Sequence, residues 1–108
     1  MEFLTTFTVT VPDGAADDDV HELTTREAQR AHQLAQEGKL VRLWALPAEP
    51  GTSRALGLWR ARNLAELQAI LTSLPLDPWM TTRTTPLTEH PNDPAAAVSD
   101  RRSPARSG

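Results

Sequence analysis

Apolar side chains alternate with threonine from Glu2 to Val11: Phe3, Phe7, Val9 and Val11 share one parity, and Thr6, Thr8 and Thr10 fill most of the other. A period of two in β-branched and aromatic residues predicts a strand, and Pro12-Asp13-Gly14 supplies the turn chemistry that ends it. The period then lengthens. Val20, Leu23, Ala31, Leu34 and Ala35 recur at helical spacing, and Asp17, Asp18 and Asp19 crowd the end where the helix dipole is positive. Gly38 stands where a left-handed C-terminal cap belongs, so the spacing predicts a helix to about Glu37. Strands are predicted over Lys39 to Leu46 and Ser53 to Arg60, close enough across the Pro47–Gly51 loop to pair as an antiparallel hairpin. Asn63 and Glu66 form a capping-box-like start for a second helix, striped by Leu64, Leu67, Ile70, Leu71 and Leu74. Pro75 closes it, and Pro75-Leu76-Asp77-Pro78-Trp79-Met80 leads into a last strand that ends near Leu87.

Strand, helix, strand, strand, helix, strand is the split-βαβ order. It predicts an α+β, ferredoxin-like βαββαβ domain with a four-stranded antiparallel sheet and both helices on one face. The other sheet face must then be polar, closed by curvature or packed on another subunit. Large apolar residues occur at both parities of the strands, which points to a homo-oligomer, a dimer or larger, of the dimeric α/β-barrel type. The domain is expected to span residues 1–91. From Asn92 to Gly108 the chain is Pro, Ala, Ser, Asp and Arg without periodicity, and it is expected to be a disordered tail.

With 108 residues there is room for one domain. No cysteine is present, which excludes disulfides and thiolate metal sites, and no run approaches the ~20 apolar residues of a membrane span. A cytoplasmic protein is the expectation, with no membrane partner. A net charge of -3 argues against nucleic acid as a partner, and the local basic excess of Arg101, Arg102 and Arg106 falls in the tail.

Glu27 breaks the pattern. It falls on the stripe of Val20, Leu23, Ala31 and Leu34, the side of the first helix that should meet the sheet. A carboxylate there loses water, and desolvation raises its pKa unless a cation or hydrogen-bond donors compensate. A carboxyl group tuned upward in an apolar cleft is suited to moving protons near neutral pH; the alternative is a structural ion pair or a helix-edge group reaching water. Arg42 and Trp44 share one face of the second strand, where a guanidinium beside an indole would hold a carboxylate in bidentate fashion. Parity alone leaves open which face that is. Three tryptophans without any tyrosine suit a pocket for a flat ligand, which adds Trp59 and Trp79 as candidate binding residues beside their plain role as core aromatics. His90, just past the last strand, is a candidate proton shuttle or a solvated end residue. His21 and His32 fall off the stripe, and no pair of histidines has zinc spacing, so no metal is expected.

The opening strand through Val11-Pro12, the Gln36-Glu37-Gly38 helix end, Leu43-Trp44, Leu74-Pro75-Leu76-Asp77-Pro78-Trp79-Met80 and the closing His90-Pro91 together resemble the muconolactone delta-isomerase family. The resemblance runs from Met1 to about Pro91. It implies a ferredoxin-like fold, an oligomer, a pocket between helix and sheet, and a cofactor-free proton shift in an unsaturated lactone. The family's helix carboxylate falls on Glu27, which becomes the catalytic base, with Arg42 as the group facing the developing negative charge. The chain departs from the family pattern at Leu4 and Arg42, where histidines are usual, at Ala45 (arginine), at Ala55 (asparagine) and at Asp77 (apolar). These departures remove several polar groups, so the implied substrate is a small unsaturated lactone or related oxygenated ring compound, not muconolactone in particular. Cyclisation or dehydration of a polyketide-like intermediate in secondary metabolism is the alternative chemistry, and a non-catalytic small-ligand-binding oligomer is the alternative without any.

Overall fold

The computed structural model describes residues 1–95. Its elements are β1 (Glu2–Thr10), α1 (Asp17–Gln36), β2 (Leu40–Leu46), β3 (Thr52–Arg60), α2 (Leu64–Thr72), one turn of 3-10 helix (Asp77–Trp79) and β4 (Met80–Leu87). The strands form one sheet in the order β2-β3-β1-β4, with every neighbouring pair antiparallel. This is the α+β, ferredoxin-like arrangement that the order of periods predicts. Of the segment 92–108 read as a tail, residues 96–108 lie outside the described residues. Among the described residues no helix is long and apolar enough to cross a membrane.

The register assigns each strand residue to a face. Phe3, Thr5 and Phe7 of β1 lie opposite Trp59, Gly57 and Ala55 of β3. Directly opposed residues point to the same side of a sheet. Phe3, Phe7 and Trp59 are buried with Leu34 of α1 and Leu67 and Leu71 of α2 in one cluster, so both helices cover this side. Thr5 is wholly buried there, and its hydroxyl is satisfied by that of Thr84 directly across β4, at 2.9 Å. Leu4, Leu56 and Leu58 have the opposite parity and face away from the helices.

β2 carries an irregularity. Leu40 pairs with Trp59 but Arg42 pairs with Leu58, so Val41 is an extra residue, a bulge in the edge strand. Beyond it the alternation resumes in the other phase: Leu43 and Ala45 share the side of Gly57 and Ala55, while Arg42 and Trp44 share the open side with Leu58 and Leu56.

The helix ends follow the chemistry expected of them, with two differences. Gly38 follows α1 at φ +77°, a conformation open to glycine without strain. Asn63 caps α2 through its side chain, accepting from the Glu66 N–H at 2.8 Å. The Glu66 carboxylate, however, does not return to the cap residue. It accepts instead from the Arg62 N–H, the Arg62 Nε and the Lys39 Nζ, at 3.2, 2.6 and 3.1 Å, and these donors lower its pKa to about 2. The second difference is the 3-10 turn between α2 and β4, where Pro78 sits near the start. In that turn Leu74 and Leu76 accept from the amides of Asp77 and Trp79.

Candidate active site

Between α1 and the covered side of the sheet is a cavity of about 340 Å³. Its origin is a run of small residues where the layers meet: Ala31 on α1, Ala45 on β2 and Ala55 on β3 leave room that larger side chains would fill. Phe7, Trp59, Leu40, Leu74 and Met80 form apolar walls. Glu27 and Arg54 are the ionisable residues among those lining it.

Glu27 is half-buried, on the inward stripe of α1 as its spacing predicts. Its Oε1 accepts a hydrogen bond from the Leu76 N–H at 3.0 Å. That amide precedes the 3-10 turn and points a backbone donor at the helix. Desolvation pushes the Glu27 carboxyl above its usual range, the Leu76 donor pulls it partly back, and the nearby Asp77 charge adds to the rise. Among the described residues Glu27 has no ion-pair partner. The structural ion pair that the sequence left open is therefore not what holds it within these residues.

The remaining sequence candidates separate. Trp59 is 2% exposed and lines the cavity, its ring tilted 59° against Phe7 with centroids 6.1 Å apart. Trp44 lines the cavity at the sheet edge although its parity is that of the open face. Arg42 lies on that open face with its guanidinium carbon 4.9 Å from the centre of the Trp44 ring, and it is not among the cavity residues. The expected pairing of Arg42 with Glu27 in one site is thus absent within the chain, because the Val41 bulge turns Arg42 away. Trp79 ends the 3-10 turn, half-buried, and lies off the cavity. His90 is exposed, its Nδ1 accepting from the Asn92 N–H at 2.9 Å, and it too is outside the cavity.

Two participants were missed in the sequence. Arg54 stands at the hairpin end of β3, its Nη1 3.4 Å from the Pro47 carbonyl. Nothing in the alternation marks it, since its parity is that of the open face. The Leu76 amide is a backbone group, and its only signal is the pair of prolines, Pro75 and Pro78, that force a turn beside the helix.

An apolar cavity with one raised carboxylate is found here in a chain whose residues 1–93 match the family model described as muconolactone delta-isomerase. The chain belongs to the muconolactone delta-isomerase family. It is 32% identical to Muconolactone Delta-isomerase 1 of Acinetobacter lwoffii over 84 residues, which cover 78% of this chain and 84% of that protein. With Muconolactone Delta-isomerase of Cupriavidus pinatubonensis the identity is 29%, covering 85% and 97% of the two chains. A crystal structure of muconolactone isomerase superposes with a TM-score of 0.75 at 26% identity, covering 87% of this chain and 95% of that one. A dehydrochlorinase of Burkholderia phenoliruptrix shares the fold alone, with a TM-score of 0.54 at 11% identity over 81% and 95% of the chains.

Proposed function

We propose that the protein is a cofactor-independent isomerase that moves a proton between carbons of a small unsaturated lactone or related oxygenated ring compound, with Glu27 as the group that carries it. One observation supports this reading above the rest: Glu27 is a half-buried carboxylate in an apolar cavity, with its pKa raised by loss of water and no ion-pair partner among the described residues. A group in that state is a stronger base once ionised and a ready acid once protonated.

The chemistry balances without a co-reactant. The Glu27 carboxylate takes a proton from a carbon activated by the conjugated carbonyl. The C–H electron pair moves into the ring system and places negative charge on the carbonyl oxygen, giving a dienolate. Glu27, now a carboxylic acid, returns the same proton at a different carbon, and the double bond is left in a new position. The Leu76 N–H, donating to one carboxylate oxygen, holds the group in place so that the other oxygen is free to work. Proton transfer by a placed base contributes roughly 10²–10⁴-fold, so positioning and stabilisation of the dienolate must supply the rest.

The test is exchange of ring protons for deuterium, followed by NMR on a butenolide substrate in heavy water. Glu27→Gln keeps size and hydrogen-bonding shape, so the fold is expected to survive while exchange falls by roughly 10²–10⁴-fold. Exchange at the wild-type rate in that variant would remove Glu27 from the mechanism. The reading also takes the homo-oligomer as the working form, since the open sheet face carries Leu4, Leu56 and Leu58 with no covering helix among the described residues.

A further inference from the structure

At ~30 Å³ of liquid volume per molecule, the cavity of about 340 Å³ has room for about eleven waters, and a bare five-membered lactone displaces only about four of them. The spare room has a defined place. Ala45 and Ala55 are direct cross-strand partners with the inward parity of β2 and β3, and Ala31 lies one helical turn beyond Glu27 on the same side of α1. Three methyl groups thus stand where longer side chains would close the gap between helix and sheet. The walls around this room are hydrocarbon, with Phe7, Leu40, Leu74 and Met80 among them.

Charge turned into the cavity has one sign, that of Glu27. Among the described residues Arg54 is the basic residue that lines it, but its register partners, Thr8 and Leu46, have the outward parity. Arg54 is exposed, with its Nη1 3.4 Å from the Pro47 carbonyl at the hairpin loop. The cations nearest Glu27 along α1 are engaged elsewhere: Arg26 pairs with Glu22, and Arg30 donates to Gln33 and Ser73. A ligand carboxylate seated against these walls would lose water, meet no cation of the described residues and face the Glu27 carboxylate. Each of these disfavours it.

We propose that the cavity takes an uncharged unsaturated lactone bearing an apolar substituent, a branched alkyl group or a second ring, and rejects a lactone of the same shape that carries a carboxylate. The inference rests on the isomerase reading for the lactone itself and adds what surrounds the reacting ring. Burial of the substituent against Ala31, Ala45 and Ala55 supplies affinity by taking hydrocarbon out of water. The ring is held beside Glu27 because the rest of the space is filled, without an ionic anchor. A substituent remote from the reacting carbons thereby fixes where they stand.

Three saturated lactones, which have no double bond to move, separate size from charge. They are γ-isobutyl-γ-butyrolactone, γ-carboxymethyl-γ-butyrolactone, which has nearly the same shape with a charge, and γ-butyrolactone itself. Dissociation constants are measured by titration calorimetry on the full chain at neutral pH. The isobutyl lactone is expected to bind more tightly than either of the others by roughly tenfold or more. Ala55→Leu, or Ala45→Leu at the sheet edge should the first not fold, is expected to bring the isobutyl lactone to within about twofold of the bare ring. A carboxymethyl lactone that binds as tightly as the isobutyl one would overturn the proposal, since a cation must then reach the ligand. So would an isobutyl lactone no tighter than the bare ring, or an isobutyl advantage that survives the leucine. Binding of a saturated lactone involves no proton transfer, so failure of the Glu27 mechanism is read separately, in the deuterium exchange of the wild type.

Discussion

Glu27 and Glu66 are two carboxylates driven in opposite directions by their surroundings. Glu66 meets two cations and a backbone amide, which hold its pKa near 2. Its ionised form is thus favoured by folding, and that stability is present above the ordinary carboxylate pKa of 4.5 and is lost as pH falls toward about 2. Glu66→Gln should therefore lower the melting temperature at neutral pH, with the difference from wild type shrinking as the solution is acidified. For Glu27 the sign reverses. Burial raises its folded pKa above 4.5, so the folded state holds the proton more tightly than the unfolded one. Its ionisation destabilises the fold as pH rises through the raised value. Glu27→Gln should melt higher than wild type at neutral pH, and the two should converge below pH 4.5, as thermal denaturation across pH would record. The same group governs rate: exchange should rise with pH through an apparent pKa above the normal carboxylate range, because only the ionised form removes a proton.

At the scale of elements, β3 packs closely at Gly57. The Cβ of an alanine at position 57 would come within 2.7 Å of the Trp59 ring and 3.1 Å of Phe7, and neither ring is a flexible tail that can swing aside. Gly57→Ala should cost about 1–3 kcal/mol, measured by urea denaturation, with the Trp59 fluorescence altered in the folded state. The elements themselves were legible from periodicity. Threonine alternating with Phe and Val gave β1, and the Val20-to-Leu34 stripe gave α1 and exposed Glu27 as its misfit. What was hidden had a different physical basis. The face of Arg42 depends on the bulge at Val41, and an extra edge residue of ordinary β-forming type leaves no mark in the composition. The Leu76 amide could not be found by side-chain chemistry, since every residue type but proline carries that group. The cavity comes from small residues at three separated positions, Ala31, Ala45 and Ala55, which only the register brings together.

At the scale of the molecule, two helices cover one sheet face, and among the described residues nothing covers the other. Leu56 and Leu58 on β3, with Leu4 beside them on β1, are half-buried with no layer over them among the described residues, and Trp44 adds an exposed ring. Self-association through this face is the expected outcome, to be measured by sedimentation equilibrium. Leu58→Asp should shift it toward monomer by roughly tenfold or more in dissociation constant, since a carboxylate would lose water at the contact without a designed partner. The Val41 bulge stands between these two faces. If β2 kept its Leu40–Trp59 pairing and Val41 were paired with Leu58 and not bulged out, the inward phase would pass to Arg42 and Trp44, and Leu43 and Ala45 would turn outward. Whether Val41 is bulged out or paired thus decides if a guanidinium and an indole stand on the ligand's side or the neighbour's. A relative with the same strand but no bulge would differ at once in what it accommodates and in how it assembles.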